Sequence, residues 1–365
     1  MPELHGGNLD AAARRLGCRP GQLLDASASL VPFAPPRLLR RALRQAALKP
    51  YPDRSYQALR TVIATRHGLD PASVLPGNGA AELFTWAARD AAAAGPSLLP
   101  QPGFADYRRA LCCWEAPVES WPLRLDWCDA ASAILPPLPP ADLGSAQAVW
   151  ITNPHNPTGQ LWSRASLEAL LQRFALVICD EAFLPLVPGG EAQSLVPLLA
   201  DHPNLVVIRS LTKLFAIAGL RLGYALGDPQ RLRRWAAWRD PWPVNSLAAA
   251  AGETLMGQPH LYDHWCARVQ AWVAAEGAWL RQQLQAIPGL QPMPSAANYL
   301  LVRGERGAQP SSLDSLRQRL EQGHRILVRD CRSFEGLGDT WLRIGYQSRW
   351  NNGRIIRALR QALVC

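Results

Sequence analysis

Three short apolar runs, Ala148 to Thr152, Leu176 to Cys179 and Leu205 to Ile208, are separated by stretches such as Leu167 to Phe174 whose apolar residues recur at helical spacing. Runs this short and uninterrupted suit strands buried on both faces, and connections long enough to hold a helix let successive strands run parallel. The central chain is therefore predicted to be α/β, a mostly parallel sheet between helices. Such sheets gather ligands at the carboxyl ends of their strands. The residues that follow these three runs are thus the first place to look for chemistry.

From about Asn245 the rhythm changes. Long helical segments, Leu247 to Met256 and Leu261 to Ile287, carry Trp265, Trp272 and Trp279 at intervals of seven as a packing stripe. Shorter strands are predicted at Asn298 to Val302, Arg325 to Arg329 and Trp341 to Tyr346, with a closing helix near Asn351 to Leu363. This reads as a second, smaller α/β lobe, with the break at Pro241-Trp242-Pro243, where two prolines interrupt any helix. A chain of 365 residues has room for two such lobes.

No stretch approaches the roughly 20 apolar residues of a membrane span, and the first residues lack a charged-then-apolar signal pattern, so a cytoplasmic protein with no membrane contact is expected. The eight cysteines are scattered without paired CxxC spacing or histidine clusters, which argues for reduced thiols and against a metal site. The formal charge of +9 comes from arginines spread over separate segments and not from a nucleic-acid-binding module. A small anionic substrate is the better use of that balance.

Lys49 and Lys213 are the only lysines, so lysine is not serving as general surface charge. A primary amine, unlike guanidinium, can lose its proton and attack a carbonyl, which makes Lys213 in Ser210-Leu211-Thr212-Lys213 the first catalytic candidate. Three more motifs accompany it. Pro76-Gly77-Asn78-Gly79-Ala80-Ala81-Glu82 is a glycine turn opening a helix over 80–93, whose N-terminal N–H groups suit a phosphate. Asn153-Pro154-His155-Asn156-Pro157 and Asp180-Glu181-Ala182-Phe183 each follow a predicted strand. A buried Asp at a strand end needs a cation or donors. Singly, each motif also has a plain structural use: a glycine turn, an Asx turn at Asn156, a helix cap at Asp180.

Together, in this order and with Arg221 eight residues after Lys213, the motifs resemble the class I/II aminotransferase family, pyridoxal-phosphate enzymes of fold type I. The resemblance covers essentially the whole chain. It implies an N-terminal arm over 1–36 that contributes to the small domain, a large cofactor-binding domain over 37–243 and a small domain over 244–365. It also implies roles: Lys213 carries the cofactor, Asp180 keeps its ring nitrogen protonated, Asn156 bonds its phenolic oxygen and Phe104 stacks on the ring. The phosphate would be held by Gly79, Ala80, Ala81, Ser210 and Arg221, and by Tyr51 from the second subunit of a homodimer. Phe183 stands where aminotransferases commonly have tyrosine.

Within the family, further stretches set the chain apart. His5-Gly6-Gly7-Asn8, Leu24-Asp25-Ala26-Ser27-Ala28, Tyr51-Pro52-Asp53, Pro102-Gly103-Phe104-Ala105-Asp106-Tyr107 and Ile326-Leu327-Val328-Arg329-Asp330 resemble the branch that decarboxylates a phosphorylated amino acid for cobalamin biosynthesis. That branch implies cationic clamps for a phosphate and a carboxylate: Arg343 for the carboxylate, Arg329 and His5 for the phosphate. Ser29 and Val31 replace asparagines of that pattern, and Gln347 replaces a basic residue, with Arg349 close by. The alternative within the family is an aminotransferase acting on histidinol phosphate.

Overall fold

The computed structural model describes residues 6–127, 131–132, 145–306 and 309–364. Its centre is a seven-stranded sheet in the order Val74–Asn78, Leu222–Gly227, Leu205–Ser210, Leu176–Asp180, Ala148–Thr152, Ser97–Gln101, Val118–Pro122. Only Leu222–Gly227 runs antiparallel to its neighbours. The expected mostly parallel sheet is thus observed, and the three apolar runs form its middle.

Their lack of alternation has a simple origin. Successive side chains of a strand point to opposite faces, and both faces here are covered: Val149, Ile151, Val177 and Cys179 enter one apolar cluster, Trp150 and Ile178 another. The first cluster continues without a break into Ile326, Val328, Leu342 and Ile344 of the second sheet, so one core joins the two sheets.

The second sheet places Leu24–Ala26 beside Ile326–Asp330 in parallel, followed by Trp341–Gly345, Tyr299–Arg306 and Leu290–Pro292. The 27-residue helix Pro259–Gln285 and the helix Asp314–His324 pack against it, and the helix Arg349–Val364 packs on both of them. Of the tryptophan stripe, Trp265 is buried, while Trp272 and Trp279 lie half-buried against the core.

Boundaries moved where local chemistry competed with periodicity. The helix predicted over 167–174 runs Arg164–Leu171, because the Ser163 hydroxyl accepts the Ser166 N–H and starts it a turn earlier. Leu222–Gly227 escaped the periodicity because Gly223 and Gly227 dilute it. Gly223 is required: a Cβ there would lie 2.8 Å from the Ala80 nitrogen and 2.9 Å from the Arg209 oxygen. This close approach seats the start of helix Ala80–Ala94 against the carboxyl ends of the strands.

Candidate active site

A cavity of about 400 Å3 opens at those strand ends, between the two sheets. It is lined by Ala80, Ala81, Phe104, Asn156, Asp180, Ser210, Lys213, Arg221, Arg329 and Arg343, which the sequence gave as site candidates, by Ser29 and Phe183, which it marked as departures from the family pattern, and by Ser27, Thr212 and Phe334, to which it gave no role. Gly79 adjoins the cavity through Arg221. Residues from positions 27 to 343 thus meet in one place.

At its floor, Asp180 ends its strand and is 5% exposed. Its Oδ2 accepts the Tyr107 hydroxyl at 2.7 Å and its Oδ1 the Ala182 N–H at 2.9 Å. Burial lifts the carboxyl from 3.8 to about 6, although both donors and nearby Lys213 favour the ionised form. The Tyr107 hydroxyl also lies 2.6 Å from Thr152 Oγ1. Neither Tyr107 nor Thr152 was a sequence candidate; their one signal is the place of Tyr107 three residues after Phe104, next to one turn further along the helix Ala105–Cys112.

Lys213 lies within the short helix Leu211–Phe215, which Ser210 caps by accepting the Thr212 N–H. Its Nζ lies 5.6 Å from the Phe183 ring centre. Burial draws its amine down from 10.5 to about 8, with Arg343 and Arg221 adding to the effect and Asp180 opposing it. A lysine so placed spends an appreciable fraction of its time as a nucleophile near neutral pH.

On the cavity's side wall the start of helix Ala80–Ala94 has no side-chain cap. Gly79, at φ 72°, leaves open the space where a Cβ would meet the Arg221 guanidinium at 2.6 Å. Backbone N–H groups and a guanidinium therefore converge on one spot, the donor set an oxyanion such as a phosphate requires.

Opposite stand two arginines. Arg329 and Arg343 are direct partners in adjoining antiparallel strands, and both are buried. Arg343 donates to Asn156 Oδ1 and, at 3.2 Å, to the Ser27 carbonyl; it lies 4.8 Å over the Tyr299 ring. Among the described residues it has no carboxylate partner, and its buried Nε has no acceptor. Arg329 donates to Ser333 Oγ and lies 5.2 Å over the Phe334 ring. The Ser29 hydroxyl, 2% exposed, lines the cavity without a hydrogen-bond partner.

Two residues the sequence pointed to, Tyr51 and Arg349, do not line this cavity. Tyr51 is 76% exposed and stacks on Trp242 at 4.3 Å. His5 lies outside the described residues, although Gly7, just after it, donates to Ser27 Oγ at 3.0 Å. Arg349 is engaged by Glu276 at 3.0 Å, and Gln347 donates to the Asp25 carbonyl.

A nucleophilic amine, a buried carboxylate and an oxyanion cradle around one cavity fit the three reactive parts of pyridoxal phosphate: aldehyde, pyridine nitrogen and phosphate. Comparison with known proteins agrees. Residues 21–359 match the family Aminotransferase class I and II. The chain is 37% identical to the threonine-phosphate decarboxylase of Salmonella typhimurium, covering 98% of this chain and 96% of that protein. It is 30% identical to the histidinol-phosphate aminotransferase of Stutzerimonas stutzeri, over 99% and 95%. The crystal structure of histidinol-phosphate aminotransferase from Sinorhizobium meliloti in complex with pyridoxal-5'-phosphate superposes with a TM-score of 0.85 at 22% identity, covering 100% of this chain and 95% of that one.

Proposed function

The chain belongs to the aminotransferase class I and II family and uses pyridoxal phosphate, and from that premise we propose that it removes CO2 from L-threonine O-3-phosphate to give (R)-1-aminopropan-2-yl phosphate for cobalamin biosynthesis. The observation that carries the reading is the cross-strand pair Arg329 and Arg343. Like charges directly opposite each other destabilise a sheet, and burying a guanidinium without a carboxylate, as at Arg343, costs several kcal/mol. A substrate carboxylate supplies the negative charge missing at Arg343, and a phosphate at the substrate's other end would lie beside Arg329. Such a substrate also suits the similarity to the Salmonella decarboxylase.

In this reading Lys213 holds the cofactor's aldehyde carbon, Asp180 keeps a proton on the ring nitrogen, Asn156 bonds the phenolic oxygen, and Gly79, Ala80, Ala81, Ser210 and Arg221 hold the phosphate. The bound cofactor supplies a sink for the electron pair left on Cα when the carboxylate departs. The protein decides which bond breaks. Arg343 would take the carboxylate and Arg329 the substrate phosphate, which would orient the Cα–carboxylate bond for cleavage in preference to Cα–H. Phe104, Phe183 and Phe334 line the cavity and limit water around the charged groups. Lys213 then delivers a proton to Cα, which balances the loss of CO2.

Tyr51, exposed and away from its own cavity, is read as completing the phosphate site of a partner in a homodimer. No helix among the described residues is long and apolar enough to cross a membrane, and the cytoplasm is the compartment proposed. Incubation with threonine phosphate, and separately with histidinol phosphate plus 2-oxoglutarate, tests the function. Release of CO2 in the first supports it; glutamate in the second with no CO2 in the first overturns it in favour of transamination.

A further inference from the structure

Tyr107 has no assigned part in the chemistry, yet its hydroxyl is held by two groups at the cavity floor. Thr152 and Asp180 end neighbouring parallel strands and are direct partners in the ladder. Tyr107 reaches across from helix Ala105–Cys112, with its hydroxyl 2.6 Å from Thr152 Oγ1 and 2.7 Å from Asp180 Oδ2. The ring is 4% exposed and fixed edge-on by Phe84 at 5.0 Å and Phe104 at 5.5 Å. Ionised Asp180 can only accept, so the Tyr107 proton points to Asp180, and with Ala182 N–H on Oδ1 the carboxylate plane is pinned from both sides.

We propose that Tyr107 is a positioning residue which, by donating its hydroxyl to Asp180 Oδ2, keeps that carboxylate ionised and aimed at the cofactor's ring nitrogen, with Thr152 holding the hydroxyl in place. This rests on the role given to Asp180 above. The other groups facing Asp180 cannot substitute for Tyr107. Glu181 raises its proton affinity and is itself ion-paired to Arg209 at 2.6 Å; Lys213 lowers it but is required elsewhere; Tyr299, which feels the Asp180 charge, donates its own hydroxyl to the His155 carbonyl at 2.9 Å. Tyr107 itself stays protonated, since burial, Asp180 and Cys179 all push its phenol up.

The test is a titration of the full-length chain freed of cofactor. An acid lifted from 3.8 to about 6 in the folded state holds a proton that the unfolded chain releases, so stability falls as pH rises through that window and levels above it. Tyr107→Phe removes a donor to the ionised form and extends the falling limb upward by roughly one pH unit. The stability difference between Tyr107→Phe and the parent should therefore grow as pH rises past 6. It should be flat with pH when both are compared on an Asp180→Asn background. Thr152→Val, which removes a donor to the Tyr107 oxygen but leaves the Tyr107 proton on Asp180, should keep the parent's pH dependence. In the loaded enzyme Tyr107→Phe should move the acid limb of kcat upward with little change in KM. A Tyr107→Phe difference that does not vary with pH, or one that persists with Asp180→Asn, overturns the proposal whichever substrate the loaded enzyme turns over.

Discussion

The amine of Lys213 can attack an aldehyde only when unprotonated, and the cavity sets how often that is. Its fall from 10.5 to about 8 is equivalent to about 3 kcal/mol against the ammonium form and, at about tenfold per pH unit, to a few hundredfold more free amine at pH 7. Burial is the first cause and the Arg343 charge the second. Arg343→Gln keeps a polar side chain beside Asn156 and removes the charge, so Lys213 should titrate above 8 in the variant. Because the folded value is depressed, the folded chain binds the proton less tightly than the unfolded one. Stability of the cofactor-free protein is diminished below pH 8 and recovers between about 8 and 10.5; in the variant that recovery begins higher. The direct assay is the rate of cofactor uptake, followed by absorbance between about pH 6 and 10. The parent should reach its half-maximal rate near pH 8, and the variant later, losing about tenfold in rate at pH 7 for each pH unit of displacement. Superimposable profiles would show that burial alone sets the amine, and the charge argument would fail.

Three further outcomes are expected. Lys213→Ala should fold, with an unchanged far-ultraviolet circular dichroism spectrum, yet lose the cofactor linkage; borohydride reduction of the parent followed by peptide mapping should find the cofactor on Lys213, and label on exposed Lys49 instead would refute the assignment. Arg329→Ala should raise KM for threonine phosphate while leaving the cofactor's absorbance unaltered, whereas Arg343→Ala should also permit slow loss of the Cα proton in place of CO2; decarboxylation at the parent's KM by both would refute the clamp. Tyr51→Phe should weaken cofactor binding by about 1.5–3 kcal/mol at most, one hydrogen bond to a charged group, and sedimentation should give a dimer; a fully active monomer would contradict a shared site.

What the sequence could reveal depended on how local the cause was. Ala148–Thr152 was legible to the residue because a doubly covered strand is apolar throughout. Val74–Asn78, Ser97–Gln101 and Val118–Pro122 were not, since Pro76, Gly77, Pro100 and Pro122 give them the composition of turns. In the site, Lys213, Asp180, Asn156 and Arg221 could be named because each sits in a short motif and the order of motifs is itself a signal. Tyr107 could not: its partners are 45 and 73 residues away, and nothing around it in the chain marks which way its hydroxyl points. The cross-strand pairing of Arg329 with Arg343 was hidden for the same reason, because register between two strands is a property of the sheet.

Arg343 links these parts into a sequence of events. In the cavity as it stands, its charge adds to burial in drawing the Lys213 amine down, which favours attack on the cofactor's aldehyde. On the proposed reading a substrate carboxylate then lies against Arg343 and offsets that charge, so the displaced lysine becomes more basic and takes up a proton while the substrate is held. Departure of the carboxylate as CO2 uncovers the guanidinium again. Lys213 becomes a stronger acid at the moment when Cα carries the electron pair and needs a proton. One buried charge thus prepares Lys213 as nucleophile before the substrate arrives and as proton donor after CO2 leaves, and both effects depend on the coupling that Arg343→Gln removes.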